Sequence, residues 1–314
     1  MTRVEPPANE FLSSGNGIES GGVSRHNLSA QSGSSLLIGS YNIRYAVGQF
    51  LISTGLLRKA RCNLPRHRPA CVAANLRNAA EAFQEGSLVP KLDVLALQEA
   101  DKGTIRAGGH HVARELAEQL GMSWIHAAAG LPRGREPAPR QWWLNFEEQI
   151  GLYDEGDTGV ALLSNLALDE VKRIDLPWQE CPWRPRLALA ATISKGDHRI
   201  RVVNCHIDPH SAVGGQMEQL EIVLAEADRS QRPVVLLGDF NTLSKRKCIE
   251  IRQLLESRGY TTPIPTGTAT WRGAGIRLHA DWIFVRDLQV QRWGVGRPLN
   301  VSDHWPIWAE IELR

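Results

Sequence analysis

Val234-Val235-Leu236-Leu237-Gly238-Asp239-Phe240-Asn241 runs an apolar segment straight into a carboxylate and, two residues on, an amide. Four consecutive branched aliphatics read as a strand buried on both faces, the kind found in sheets covered by helices. The pattern recurs outward from this stretch. LLIGSY ends on Asn42, VLALQ on Glu99 and RVVNC on His206, while Ser302-Asp303-His304 immediately precedes the last strand-like run. Polar groups at the edge of a core cost too much to leave unpaired unless they meet one another or hold an ion. Four strand ends and one strand start therefore predict one shared polar pocket.

Between these strands lie helical signals. Leu76, Ala79, Ala80 and Phe83 recur at helical spacing, as do Val112, Leu116 and Leu120, with Gly121 as the stop. Met217, Leu220, Leu224 and Ala227 mark a third helix, and Ile251, Leu254 and Leu255 a fourth that ends near Gly259. The segments DTGVALLSN, RLALAATI and RIRVVNC follow one another at hairpin-length gaps, so part of the sheet is expected to be antiparallel. At the end of the chain Ile307, Ala309, Ile311 and Leu313 share one face of a strand. The expected class is α/β, with mixed sheets covered by helices.

Residues 1–34, rich in Ser, Gly and Asn, read as a flexible tail, and residues 35–314 as a single domain. Two segments break the alternation. Residues 46–72 mix apolar and basic side chains. Residues 131–150 carry Arg133, Arg135, Arg140, Trp142 and Trp143, a combination suited either to a phosphate-bearing substrate or to a surface loop covering the core edge.

Composition narrows the function. The 314 residues are 42% hydrophobic, ample for a large core. Lys and Arg total 36 against 34 Asp and Glu, which lacks the basic footprint of a dedicated duplex-DNA binder. Five cysteines, an odd number in a long chain, argue against a disulfide framework. Cys62, His67 and Cys71 do not complete a zinc-type spacing, and Cys205 reads as a small core residue. No apolar run is long enough to cross a bilayer and no secretory pattern opens the chain, so a cytoplasmic protein is expected.

The polar set has a chemistry. Asn42, Glu99 and Asp303 offer oxygen, the donor type preferred by Mg²⁺ and also by Mn²⁺. Asp239 and Asn241, two apart on an extended segment, face the same side: one can aim or deprotonate a water, the other can donate to a phosphoryl oxygen. His206 and His304 sit at strand boundaries. Neighbours on an extended chain point opposite ways, so Asp281, at the start of another apolar strand, is the candidate to orient His304, rather than Asp303. Together these groups suit metal-assisted hydrolysis of a phosphate ester, with water attacking phosphorus in line.

The ordered set Asn42, Gln98-Glu99, His206, Gly238-Asp239-Phe240-Asn241, Asp281 and Ser302-Asp303-His304 resembles the endonuclease/exonuclease/phosphatase superfamily over roughly residues 36–313. The strand Gly159-Val160-Ala161-Leu162-Leu163-Ser164 is similar to that family's G-x-A-x-L-S. The resemblance implies a four-layer DNase I-like sandwich: two mixed β-sheets face to face, helices outside, the site at one edge. It also implies roles. Glu99 would be the principal ligand of Mg²⁺, assisted by Asn42 and Asp303. Asp239 would position or deprotonate the water, Asn241 and His206 would contact the phosphoryl group, and Asp281–His304 would act as acid/base or as a polarising donor. Three places depart from the family pattern: Gln216-Met217-Glu218-Gln219 where R-x-x-Q is usual, Ala280-Asp281-Trp282 for I-D-Y, and Asn165 for an Arg. The expected partner is a phosphate-ester substrate: nucleic acid, or alternatively an inositol phosphate or phospholipid headgroup for a phosphomonoesterase. A non-catalytic binding module on the same fold is the rival class, disfavoured because every site residue is retained.

Overall fold

The computed structural model describes residues 12–14, 17–22, 33–48, 67–130, 150–151, 153–177, 186–273 and 275–313. The first half of the chain supplies β1 (Leu12–Ser14), β2 (Ile18–Gly21), β3 (Ser35–Asn42), α1 (Arg68–Glu85), β4 (Val94–Gln98), α2 (Val112–Leu120), β5 (Ser123–Ala128) and β6 (Gly159–Ser164). The second half supplies β7 (Leu168–Leu176), β8 (Arg186–Lys195), β9 (His198–His206), α3 (Val213–Asp228), β10 (Val234–Asp239), α4 (Lys245–Ser257), β11 (Trp271–Gly273), β12 (Ile276–Leu278), β13 (Asp281–Arg286), β14 (Gln289–Val295) and β15 (Ile307–Glu312). Eight strands form one sheet in the order β1-β2-β5-β6-β4-β3-β15-β14; five form the other, β13-β10-β9-β8-β7, and β11-β12 is a separate ribbon. Both large sheets are mixed, with β3–β4 and β9–β10 parallel and their other pairings antiparallel.

Alternation explains the layers. Along β4, Val94 and Ala96 join the core shared by the two sheets, whereas Leu95 and Leu97 point out to a second core beneath α1 and α2. Val72, Leu76, Ala79 and Phe83 of α1 and Val112, Leu116 and Ala117 of α2 complete that outer core. Leu220, Val223 and Leu224 of α3 and Ile251 and Leu255 of α4 cover the five-stranded sheet. Burying each such Leu or Ile contributes roughly 1.5–3 kcal/mol. Gly121 ends α2 in the left-handed conformation (φ 67°) that the sequence required.

A polar key joins the sheets inside this apolar interior. Gln98 Nε2 donates to Asn204 Oδ1 at 2.7 Å, and Asn204 Nδ2 donates to the Leu97 and Ala161 carbonyls, each at 2.9 Å. Both side chains are buried, and the mutual bonds offset their desolvation.

Three expectations are corrected. Part of the expected flexible tail is sheet: β2 pairs antiparallel with β5, and Ile18 packs on the main core. One apolar residue among Ser and Gly gives too weak a local signal for a strand whose stability comes from its neighbour. Residues 68–72 of the irregular segment 46–72 belong to the first turns of α1, with Pro69 near its start, where the missing N–H costs nothing. The rest of that segment from 49 to 66, and residues 131–149 with their Arg and Trp side chains, lie outside the described residues. Finally, β6 does not enter a hairpin with β8. It lies in the eight-stranded sheet between β5 and β4, and β7 precedes β8 in the other. The alternating, half-exposed LDEVKRIDL of β7 supplies the missing edge strand.

Candidate active site

Register brings the site together. On the five-stranded sheet Asp239 is the direct partner of both His206 on β9 and Asp281 on β13, so three side chains stand level across adjacent strands. On the facing sheet Asn42 pairs with Gln98, one residue before Glu99. The two rows meet at one edge of the sandwich: Asn42 Nδ2 donates to Asp239 Oδ2 at 2.8 Å and to Glu99 Oε1 at 3.4 Å. His206 Nε2 lies 3.9 Å from Glu99 Oε1 and 3.6 Å from Asp239 Oδ2. His304 Nδ1 is 2.9 Å from Asp281 Oδ2, and its Nε2 is 3.8 Å from Asp239 Oδ2.

The backbone is unusual at two of these positions. Glu99 (φ 51°), directly after β4, and Asn241 (φ 50°), two residues after β10, adopt left-handed conformations, a costly arrangement that surrounding bonds must hold. For Asn241 those bonds are its own N–H to Asp239 Oδ1 (2.9 Å) and its side chain to the Ile207 carbonyl (2.9 Å). Gly238 makes room: a Cβ there would sit 2.0 Å from the Cys205 carbonyl oxygen, so only glycine lets β10 lie this close to β9 at the site.

Asp303 meets the cluster differently. Its Oδ2 receives the Arg44 guanidinium at 3.1 Å and the Trp271 indole N–H at 3.0 Å. Ser302 Oγ donates to the Asn42 carbonyl at 2.7 Å and accepts the His304 N–H at 3.1 Å, tying the start of the last strand to the end of β3.

Protonation follows from this crowding. Burial pushes the Asp239 carboxyl up to about 7, with Asp281 adding to the rise and His304 opposing it. Burial pulls His304 down, but Asp281 and Asp239 outweigh it and carry the imidazole up to about 10. A cationic imidazole thus sits between two carboxylates. Asp281 Oδ1 is buried with no hydrogen-bond partner among the described residues. Asp239, Asp281 and His304 have ligand atoms within 4.8 Å of one another. Beside that unsatisfied oxygen, Glu99, Asn42 and Asp239 bring further oxygen donors to one spot, the donor type a hard divalent cation takes.

One contributor escaped the sequence reading. Arg186, the first residue of β8, buries its guanidinium with one nitrogen 2.8 Å from His206 Nε2 and 3.1 Å from Nδ1. Its signal was an Arg opening an otherwise apolar strand. Gln216 occupies the position where the family pattern carries Arg, and its amide donates to the carbonyls of Asp208 (2.9 Å) and Asn241 (3.1 Å). An amide thus braces the Asn241 turn without any charge.

An α/β sandwich with carboxylates and imidazoles gathered at the ends of its central strands is a phosphoesterase type of architecture. The family model described as Endonuclease/Exonuclease/phosphatase family matches residues 39–304, and the chain belongs to that family of phosphate-ester hydrolases. No curated protein matches the chain. Solved structures share its fold at low identity. The endonuclease/exonuclease/phosphatase from Bacteroides vulgatus is 15% identical with a TM-score of 0.60, over 90% of this chain and 100% of that one. The mannosyl-6-phosphatase Bt3783 of Bacteroides thetaiotaomicron is 15% identical with a TM-score of 0.57, over 88% and 99%. TDP2 of D. rerio, solved with a single-strand DNA product, is likewise 15% identical with a TM-score of 0.57, over 89% and 100%.

Proposed function

We propose that the protein is a divalent-metal-dependent phosphodiesterase of nuclease type. The observation that carries this reading is the meeting of Asn42, Glu99, His206 and Asp239 beside the His304–Asp281 pair. Glu99, with Asn42 and, as a further contributor, Asp303, would hold Mg²⁺ or Mn²⁺, which when bound supplies charge neutralisation at the phosphoryl oxygens. The protein's own groups do the rest. Asp239 is poised to take the proton of the attacking water, because its carboxyl titrates near neutrality. His304, held cationic by Asp281, donates to a phosphoryl oxygen or to the leaving oxygen. Asn241 and His206 supply further donors to the equatorial oxygens.

Substrate charge beyond the scissile group is favoured by a basic rim. Arg272 and Arg277 face each other across β11–β12, an unfavourable like-charge pair unless an anion lies between them. Arg272 and Arg297 both stand over the Trp305 ring, at 4.9 and 4.7 Å to its centroid. The Arg272 N–H also donates to the Asp303 carbonyl at 2.9 Å, which joins this rim to the site. A chain of phosphates, as in nucleic acid, fits such a rim, and an inositol phosphate is the second reading. A cytoplasmic location is part of the proposal and accords with the free thiols of Cys205 and Cys248. No helix among the described residues is long and apolar enough to cross a membrane.

The test is hydrolysis, with and without Mg²⁺, of DNA, RNA, abasic DNA, inositol phosphates and sphingomyelin by wild-type, Asp239→Asn and His304→Ala proteins. Each variant should lose about 10²–10³ in rate while staying folded. Turnover at the wild-type level by either variant, or undiminished activity in EDTA, would overturn the reading.

A further inference from the structure

On the outer part of the eight-stranded sheet lies a second cluster that no part of the proposed chemistry uses. Glu19 on β2 is the direct cross-strand partner of His126 on β5, and His111 reaches the same spot from the N-terminal cap of α2. One ligand atom from each lies within 4.8 Å of the other two. His111 Nε2 and Glu19 Oε2 are 3.8 Å apart, too far for a hydrogen bond and about half an ångström beyond the spacing of two ligands on one tetrahedral zinc ion, a gap a side-chain adjustment closes.

The ring nitrogens are the unexplained feature. His111 Nε2 and His126 Nδ1 are both buried and have no hydrogen-bond partner among the described residues. Buried imidazole nitrogens are ordinarily satisfied. For His126 the tautomer is set: Nε2 lies 2.8 Å from the Ala100 carbonyl, an acceptor only, so Nε2 carries the proton and the unpartnered Nδ1 keeps the lone pair that a cation needs. This is the arrangement of a metal-ligating histidine whose outer N–H is fixed by backbone.

We infer that Glu19, His111 and His126 form a second cation site, for a borderline divalent ion of the zinc class. Two imidazoles and one carboxylate select such an ion over Mg²⁺, which prefers an all-oxygen set. Burial supports ligation without a proton to displace from Nδ1: it lowers His126 and, with His126 and Arg114 beside it, lowers His111 to about 3. At His111, loading moves the ring proton to Nδ1 and gives up a long 3.3 Å bond from the Arg114 N–H. The helix start keeps its other tie, His111 N–H to Glu115 Oε1 at 3.0 Å. Lys102, ion-paired with Glu19 Oε1, competes for the carboxylate from outside. The ion would clamp β2 to the sheet and to the loop that follows Glu99.

The experiment titrates the full chain with Co²⁺ in saturating Mg²⁺, reading the visible d–d band and the bound metal by elemental analysis. One equivalent is expected, displaceable by Zn²⁺. It should be lost in Glu19→Gln and His126→Ala, kept in Glu99→Ala, and bound several-fold tighter in Lys102→Met. Glu19→Gln alters a partly exposed carboxylate and leaves the rings in place, so it remains informative if His126→Ala fails to fold. No uptake, or uptake kept in Glu19→Gln and lost in Glu99→Ala, overturns the site. In the latter case the ion belongs to the catalytic cluster, and the hydrolase reading is untouched.

Discussion

Two buried clusters of the same residue types settle into opposite proton states. At the strand ends one imidazole, His304, stands between the carboxylates of Asp281 and Asp239 and is driven up to about 10. On the outer strands two imidazoles share the single carboxylate of Glu19, which Lys102 also claims, and both are driven down. Burial lowers the imidazoles of both clusters and decides the state at His111 and His126, whereas two carboxylates outweigh it at His304. The count of carboxylates against cations around the ring decides whether burial prevails. The first cluster is thereby suited to donating a proton, the second to offering neutral nitrogen.

The contrast is broken most severely at Asp281. Replacing Asp281 by Asn removes the larger source of positive bias on His304, and kcat should fall by about 10²–10⁴. The alkaline limb of the kcat–pH profile should move toward neutrality, since His304 then loses its proton at lower pH. An unchanged alkaline limb would show that His304 is not the group that must stay protonated.

A control imidazole sharpens the same point. His279 is buried, stacks on Trp282 with 3.8 Å between ring centroids, and faces a backbone oxygen of Asp281 (3.1 Å) in place of a carboxylate. Burial lowers it from its ordinary 6.5 to about 4. Above pH about 6.5 both folded and unfolded chains carry the neutral ring. As pH falls from there toward 4, the unfolded chain takes up a proton that the folded one refuses, and up to about 3 kcal/mol of stability is lost. Urea unfolding at pH 7.5 and pH 4.5 should show a drop that is smaller in His279→Gln than in the wild type by up to about 3 kcal/mol, the remainder coming from His111 and His126.

Smaller effects probe how tightly the first cluster is held. Gly238→Ala would press a methyl group into the Cys205 carbonyl and should cost about 1–3 kcal/mol in chemical denaturation, with loss of activity as β10 shifts. Gln216→Ala leaves the Asp208 and Asn241 carbonyls without their amide donor. A loss of about 1–2 kcal/mol is expected, read by the same unfolding assay.

The strand ends were legible because a polar residue closing an apolar run is a local pattern. Asn42, Glu99, His206 and Asp239 could be nominated one by one, and the structure places them together through the parallel pairs β3–β4 and β9–β10. Strand geometry set Asp303 aside and left Asp281 as a candidate partner of His304, and the two lie 2.9 Å apart. The helices over Leu76, Val112, Met217 and Ile251 were equally local, and α1–α4 contain them. What stayed hidden depends on contacts across the fold. Arg186 is an ordinary strand opener until β8 is seen beside β9. Glu19, His111 and His126 are separated by two helices and two strands, and β2 lay in a segment with almost no apolar content. The only hint was His126 itself, an imidazole in the middle of an apolar run.

The amide key between Gln98 and Asn204 has a reach beyond stability. Each strand advances roughly 3.3 Å per residue, and a slip of one residue reverses every side chain. Gln98 stands one residue before Glu99, and Asn204 two before His206. Locking those two amides therefore sets the depth to which each strand end projects. The tolerance of the reactive geometry is fixed in the dry interior, by groups that never meet the substrate.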